Sequence, residues 1–68
     1  MMRENVKYKR LYKEMKERGE KEVHVAVFLN ISLVSVRNKL LGKTEWKGCE
    51  IKRLCEHYAL SFEELFGE

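Results

Sequence analysis

The sequence predicts an all-α domain of five short helices. Three observations carry that reading. Apolar residues recur at helical spacing in its longer segments, and a serine or glycine stands at most of the boundaries this spacing implies. The chain also has no proline, and its one stretch of alternating valines has no second strand to pair with.

The first segment, roughly 4–18, sets Tyr8, Leu11, Tyr12 and Met15 at i, i+3, i+4 and i+7 among charged residues, and Gly19 ends it. In 22–29, Val23, Val25 and Val27 alternate with His24 and Ala26, and β-branched residues favour strands. Without a pairing partner, a short buried helix is the better expectation. Ser32 reads as the N-cap of the next helix, with Ile31 and Val36 as a hydrophobic staple, and the helix runs through Leu41 to stop at Gly42. Asn30, a residue that tolerates positive φ, stands between the two. A helix, a left-handed residue and a capped helix make a helix-turn-helix within about 22–41. The fourth helix, 48–58, aligns Ile51, Leu54, Cys55 and Tyr58, and the Leu60–Ser61 step breaks the chain after it. The last begins at Ser61, which forms a capping box with Glu64, while Leu60 staples to Leu65 and Phe66 returns to the core.

Sixty-eight residues make one domain, and 44% hydrophobic with 37% charged residues places it among globular chains. No apolar run approaches the ~18 residues of a spanning helix and no secretory stretch opens the chain, so a cytosolic protein away from membranes is expected. Cys49 and Cys55 lie six apart in a predicted helix, which points them to different sides; they read as two small buried thiols rather than a disulfide or a metal site. Residues 1–22 carry eight Lys/Arg against five Glu, residues 23–47 four against one, and residues 48–68 two against five. A basic first two-thirds suits a polyanionic partner. His24 and His57 have no evident acid, nucleophile or metal partner, and the aromatics Tyr8, Tyr12, Phe28, Trp46, Phe62 and Phe66 are spaced as core. With no catalytic set and no phosphate-cradling loop, neither an enzyme nor a cofactor is expected.

The stretch VAVFLNISLVSVRNKLLGKTEW, followed by EIKRLCEHYALSFEELFG, resembles the phage repressor and Cro-like helix-turn-helix family, the lambda repressor-like domains, in its small prophage members. The resemblance runs from Leu11 to Gly67. Val25, Leu29, Ile31 and Val36 match the family's buried positions, and Ala26 its small residue at the helix crossing. Asn30 stands where the family usually has Gly; Leu40 and Gly42–Lys43 match the close of the recognition helix, Trp46 the aromatic of the following loop, and Ser61 to Phe66 the last helix. Lys21 and Glu22 depart from the usual Ser/Thr cap and DNA-touching Gln, and Glu20 from an apolar residue.

The resemblance implies a sequence-specific regulator that binds double-stranded DNA, as a homodimer at least on its site, with helix 33–41 in the major groove. Arg37 suits guanine, Asn38 adenine, and Val34 and Leu33 thymine methyl groups. Lys39, Lys43 and Lys47 are placed for phosphates, with Lys21 and the hydroxyl of Ser32 beside them. The alternative is a helix-turn-helix scaffold serving as an antirepressor-like protein-interaction module. Glu22 and the apolar Val23, Val27, Val34 and Leu41 motivate it.

Overall fold

The computed structural model describes residues 6–67. Five helices follow in order: α1 (Lys9–Glu17), α2 (Glu22–Leu29), α3 (Leu33–Leu41), α4 (Gly48–Tyr58) and α5 (Phe62–Phe66), with no strand among the described residues. The valine-rich segment is thus a helix. Its ends satisfy their own backbone groups, and burial of Val25, Ala26 and Leu29 overrides strand propensity.

The first helix starts later than its periodicity suggested. Residues 4 and 5 lie outside the described part, and 6–8 are not helical. Val6 is buried, and the Lys7 N–H donates to Leu40 O at 2.9 Å. That carbonyl is in the last turn of α3, where no intrahelical donor remains. The arm is therefore drawn from helical geometry by an acceptor on another element.

Four helices end through a residue at positive φ: Gly19 (70°), Asn30 (60°), Gly42 (84°) and Ala59 (57°). After each, a backbone N–H reaches back to an orphan carbonyl: Glu20 to Met15, Ile31 to Ala26, Lys43 to Asn38 and Leu60 to Cys55, at 2.8–3.0 Å. Asn30 thus occupies the left-handed position its residue type favours. The break after α4 falls at Ala59, one residue before the Leu60–Ser61 step expected. Gly42 is doubly constrained, because a Cβ there would stand 2.6 Å from Lys7 Cδ of the packed arm.

The starts are less uniform. Ser32 Oγ accepts the Ser35 N–H at 3.0 Å, and Ser61 and Glu64 exchange two bonds of 3.1 and 2.8 Å as a complete capping box. Lys21 and Lys47, which precede α2 and α4, have no side-chain acceptor to offer. His24 Nδ1 and Glu50 Oε1, three residues on, instead accept their N–H groups at 2.9 Å each.

Every helix contributes to one core, in which Leu11, Met15, Val36, Leu40, Leu54, Tyr58 and Leu65 are almost wholly enclosed. Burying each such aliphatic side chain contributes about 1.5–3 kcal/mol. Trp46 and Phe66 close one end, with Tyr8 edge-on to both. Arg10 donates to Glu63 O at 2.9 Å, tying α1 to α5, and Arg18 donates to Tyr58 O at 3.1 Å, placing a cation at the carboxyl end of α4.

Several core assignments need correction. Phe62 is 54% exposed, stacked on Phe66 rather than inside, and Tyr8, Tyr12 and Phe28 are only half-buried against the core. Cys49, in the first turn of α4, is exposed. Cys55 is half-buried, and burial, with Glu56 adding to it, pushes its thiol up, so it stays protonated. Among the described residues, no helix is long and apolar enough to cross a membrane.

Candidate nucleic-acid interface

The turn at Asn30 sets α3 across α2, burying Val36 and Leu40 of α3 against Val25, Ala26 and Leu29 of α2. The opposite side of α3 is uncovered. Val34 is 63% exposed, Arg37 is exposed, and Leu33 and Asn38 lie half-buried at its margins. The four residues expected to meet bases therefore divide into two that stand free and two on the edge.

Arg37 is not isolated. Its Nε lies 3.9 Å from Glu22 Oε1, at the start of α2. Glu22 thus faces a cation across the motif, and its carboxylate is a brace for the guanidinium as well as a negative charge on the surface. The separation is at the long end of an ion pair, and Arg37 stays free to turn outward.

Of the residues expected to meet phosphate, Lys21, Ser32, Lys43 and Lys47 are exposed. The Ser32 hydroxyl already serves as cap and donates to Ser35 Oγ at 2.9 Å. Asn38 contributes its carbonyl to the closing turn, accepting the Lys43 N–H at 2.9 Å. The exception is Lys39. It is 7% exposed, its ammonium bonded to Glu50 Oε1 and lying 5.7 Å above the Trp46 ring. Its place one turn after the buried Val36, on the side facing Glu50 of α4, turns it away from solvent. It is an internal cation, not a surface one.

Glu50 has its carboxyl pushed up by burial, but the Lys39 bond, the Lys47 amide and both lysine charges hold it below its ordinary value of 4.5. Sequence reasoning missed it because the capping pattern begins with Ser or Thr, and lysine stands in that place here.

A second cluster lies at the other side of α2. Glu20 accepts Tyr58 OH at 2.7 Å through one carboxylate oxygen, and His57 Nε2 lies 2.9 Å from the other. The histidine expected to lack a partner has one. Phe28 packs 4.6 Å from the His57 ring, and Arg53 lies over Phe28 at 5.3 Å. Glu20, His24, Phe28 and His57 border a cleft of about 300 Å³. Burial, then Glu20, push the Tyr58 hydroxyl well up, so it is held as a hydrogen-bond donor and not as a nucleophile. Among the described residues, no group of three His, Cys, Asp or Glu is placed to hold a metal ion.

No family model, curated protein or solved structure matches the chain. The geometry of α2 and α3 is therefore what bears on function.

Proposed function

We propose that the chain is a sequence-specific regulator that binds double-stranded DNA, of the phage repressor and Cro-like kind. The observation that carries this reading is the uncovered side of α3, where Val34 and Arg37 stand exposed with Lys43 and Lys47 beyond its carboxyl end. An α-helix fits the major groove, and a side chain there discriminates by matching donors and acceptors on base edges. Arg37, free to turn outward from Glu22, donates to guanine; Asn38 pairs with adenine on a small shift of its half-buried amide; Val34 and Leu33 meet thymine methyl groups. Lys21, Lys43 and Lys47 neutralise phosphates, and the Ser32 hydroxyl joins them by turning its proton from Ser35 Oγ to a phosphate oxygen while still capping α3.

The domain measures 25 × 25 × 23 Å between Cα extremes. Half-sites one helical turn apart are separated by about 34–36 Å. Two copies with their side chains then sit almost in contact on one face of the duplex, which favours a homodimer on DNA.

Selection of bound sequences from a random duplex pool, followed by titration of the selected and a scrambled duplex at 50 and 200 mM salt, tests the reading. The expected result is binding that weakens steeply as salt rises, with slope set by the number of phosphates neutralised. Arg37→Glu with Lys43→Glu abolishes it while the helical spectrum is unchanged. Absence of binding at low salt, or binding indifferent to salt, overturns the reading.

A protein-interaction role has one observation in its favour. Val27 is 76% exposed and Val23, one turn earlier, 48% exposed, and the groove-entering helix does not account for them. Unchanged activity in cells of the Arg37→Glu, Lys43→Glu variant supports that role instead.

A further inference from the structure

Three parts of the chain meet at one carboxylate oxygen. Glu50 Oε1 receives the ammonium of Lys39 from α3 and, at 2.9 Å, the N–H of Lys47 from the end of the connecting segment, while Glu50 itself belongs to the first turn of α4. Both residues are nearly enclosed, Glu50 at 5% and Lys39 at 7% exposure. The Lys39 ammonium also sits 5.7 Å above the ring of Trp46, the chain's one tryptophan.

Stability alone does not account for such a pair. Removing two charges from water is costly, and apolar side chains of similar volume often hold two helices together as well or better. An apolar pair, however, has no direction. A carboxylate oxygen shared between an ammonium and a backbone N–H fixes both donors to within a fraction of an ångström. What it fixes is the segment 42–47. One end of that segment is tied by the Lys43 N–H to Asn38 O, the other by the Lys47 N–H to Glu50. Between α3 and α4 the segment displays the exposed Lys43 and Lys47.

We propose that the buried Lys39–Glu50 pair is a positioning device that sets Lys43 and Lys47 at a fixed reach from Arg37, so that they meet the phosphates beside the groove that α3 enters. This rests on the DNA-binding reading. Lys39 acts through Lys43 and Lys47 and touches no nucleic acid itself.

The test is the double variant Lys39→Met, Glu50→Gln. Glutamine still accepts the Lys47 N–H, so the start of α4 keeps its cap, and methionine fills the space of the lysine stem; what is lost is the bond that ties this cap to α3. Melting temperature within a few degrees of the parent is expected, with duplex affinity about tenfold weaker. The slope of log affinity against log salt becomes shallower by about 1–2, as one or two phosphate contacts are lost. Trp46 emission shifts as the ammonium leaves its ring, and amide exchange quickens at 43–47. Should this variant not fold, Glu50→Asp keeps the charge and shortens its reach. It is expected to weaken duplex binding by more than its stability loss explains. If the parent binds and the folded variant binds with the same affinity and slope, the positioning role is overturned and the DNA-binding reading stands. If the parent itself does not bind, both fall.

Discussion

Glu20 occupies a position where an apolar residue was the expectation from family resemblance, and the surroundings explain how a carboxylate is tolerated there. Burial pushes its carboxyl up, but hydrogen bonds from His57 and Tyr58, with the charges of His57 and His24, leave it below its ordinary value of 4.5. A carboxyl whose folded value is depressed contributes stability that is whole above the unfolded value and is lost as pH falls through the folded one. Urea unfolding of the parent and of Glu20→Gln, at pH 7 and at steps below 4.5, measures this. The parent is expected to lose more stability on acidification than the variant, whose residue 20 cannot take up a proton. Equal losses in the two would remove Glu20 from the account. Lys39 teaches a related lesson. Helical projection places a residue on a face, but it does not say which neighbouring helix will cover that face.

At the scale of the element, the ends of helices carry most of what the sequence announces. Ser32, Gly42 and Ser61 mark boundaries by mechanisms that act within four residues, and the structure begins or ends a helix at each. The all-α class and the five-helix order were legible for that reason. The start of α1 was not, because a backbone bond from Lys7 to Leu40, far along the chain, decides it. The end of α4 falls at residue 58, as its periodicity predicts, but the left-handed residue that closes it was not legible, since alanine carries no turn signal. Ala59 takes that geometry as Leu60 and the helix after it fold back. Left-handed geometry in a residue with a Cβ costs about 1–2 kcal/mol. Ala59→Gly removes that strain at some cost in chain entropy and is expected to stabilise the domain by about 0.5–1 kcal/mol. Thermal denaturation checks it: a midpoint that does not rise would mean that Ala59 is not strained. Of the candidate interface, the exposed positions of Val34, Arg37, Lys43 and Lys47 followed from helical projection and charge. The Glu22 brace and the Glu50 anchor did not, because each pairs residues on different helices.

Over the whole molecule, the helices are short and each is completed by contacts made elsewhere. A 68-residue domain has a total stability of only about 3–10 kcal/mol. Interactions that reach across the chain are therefore a sizeable share of it. The largest of these spans belong to α1 and its connection to α2: Arg10 to Glu63, Arg18 to Tyr58, and Glu20 to His57 and Tyr58. They hold α4 and α5 to the start of the fold, and the motif helices stand between.

The Glu20 clasp also has a consequence in time. Its bonds close loops of 37 and 38 residues, whereas helices form within about a microsecond from neighbours in sequence. Such bonds are expected to close after the folding barrier has been crossed. Tyr58→Phe, which removes one charge-assisted bond worth about 1.5 kcal/mol, should then leave the refolding rate unchanged and raise the unfolding rate about tenfold. Temperature-jump relaxation across a range of urea concentrations separates the two rates, and slower refolding would place the clasp in the nucleus instead. On this account the carboxylate sets how long the folded state lasts between openings, and so how often a protease finds the chain undone.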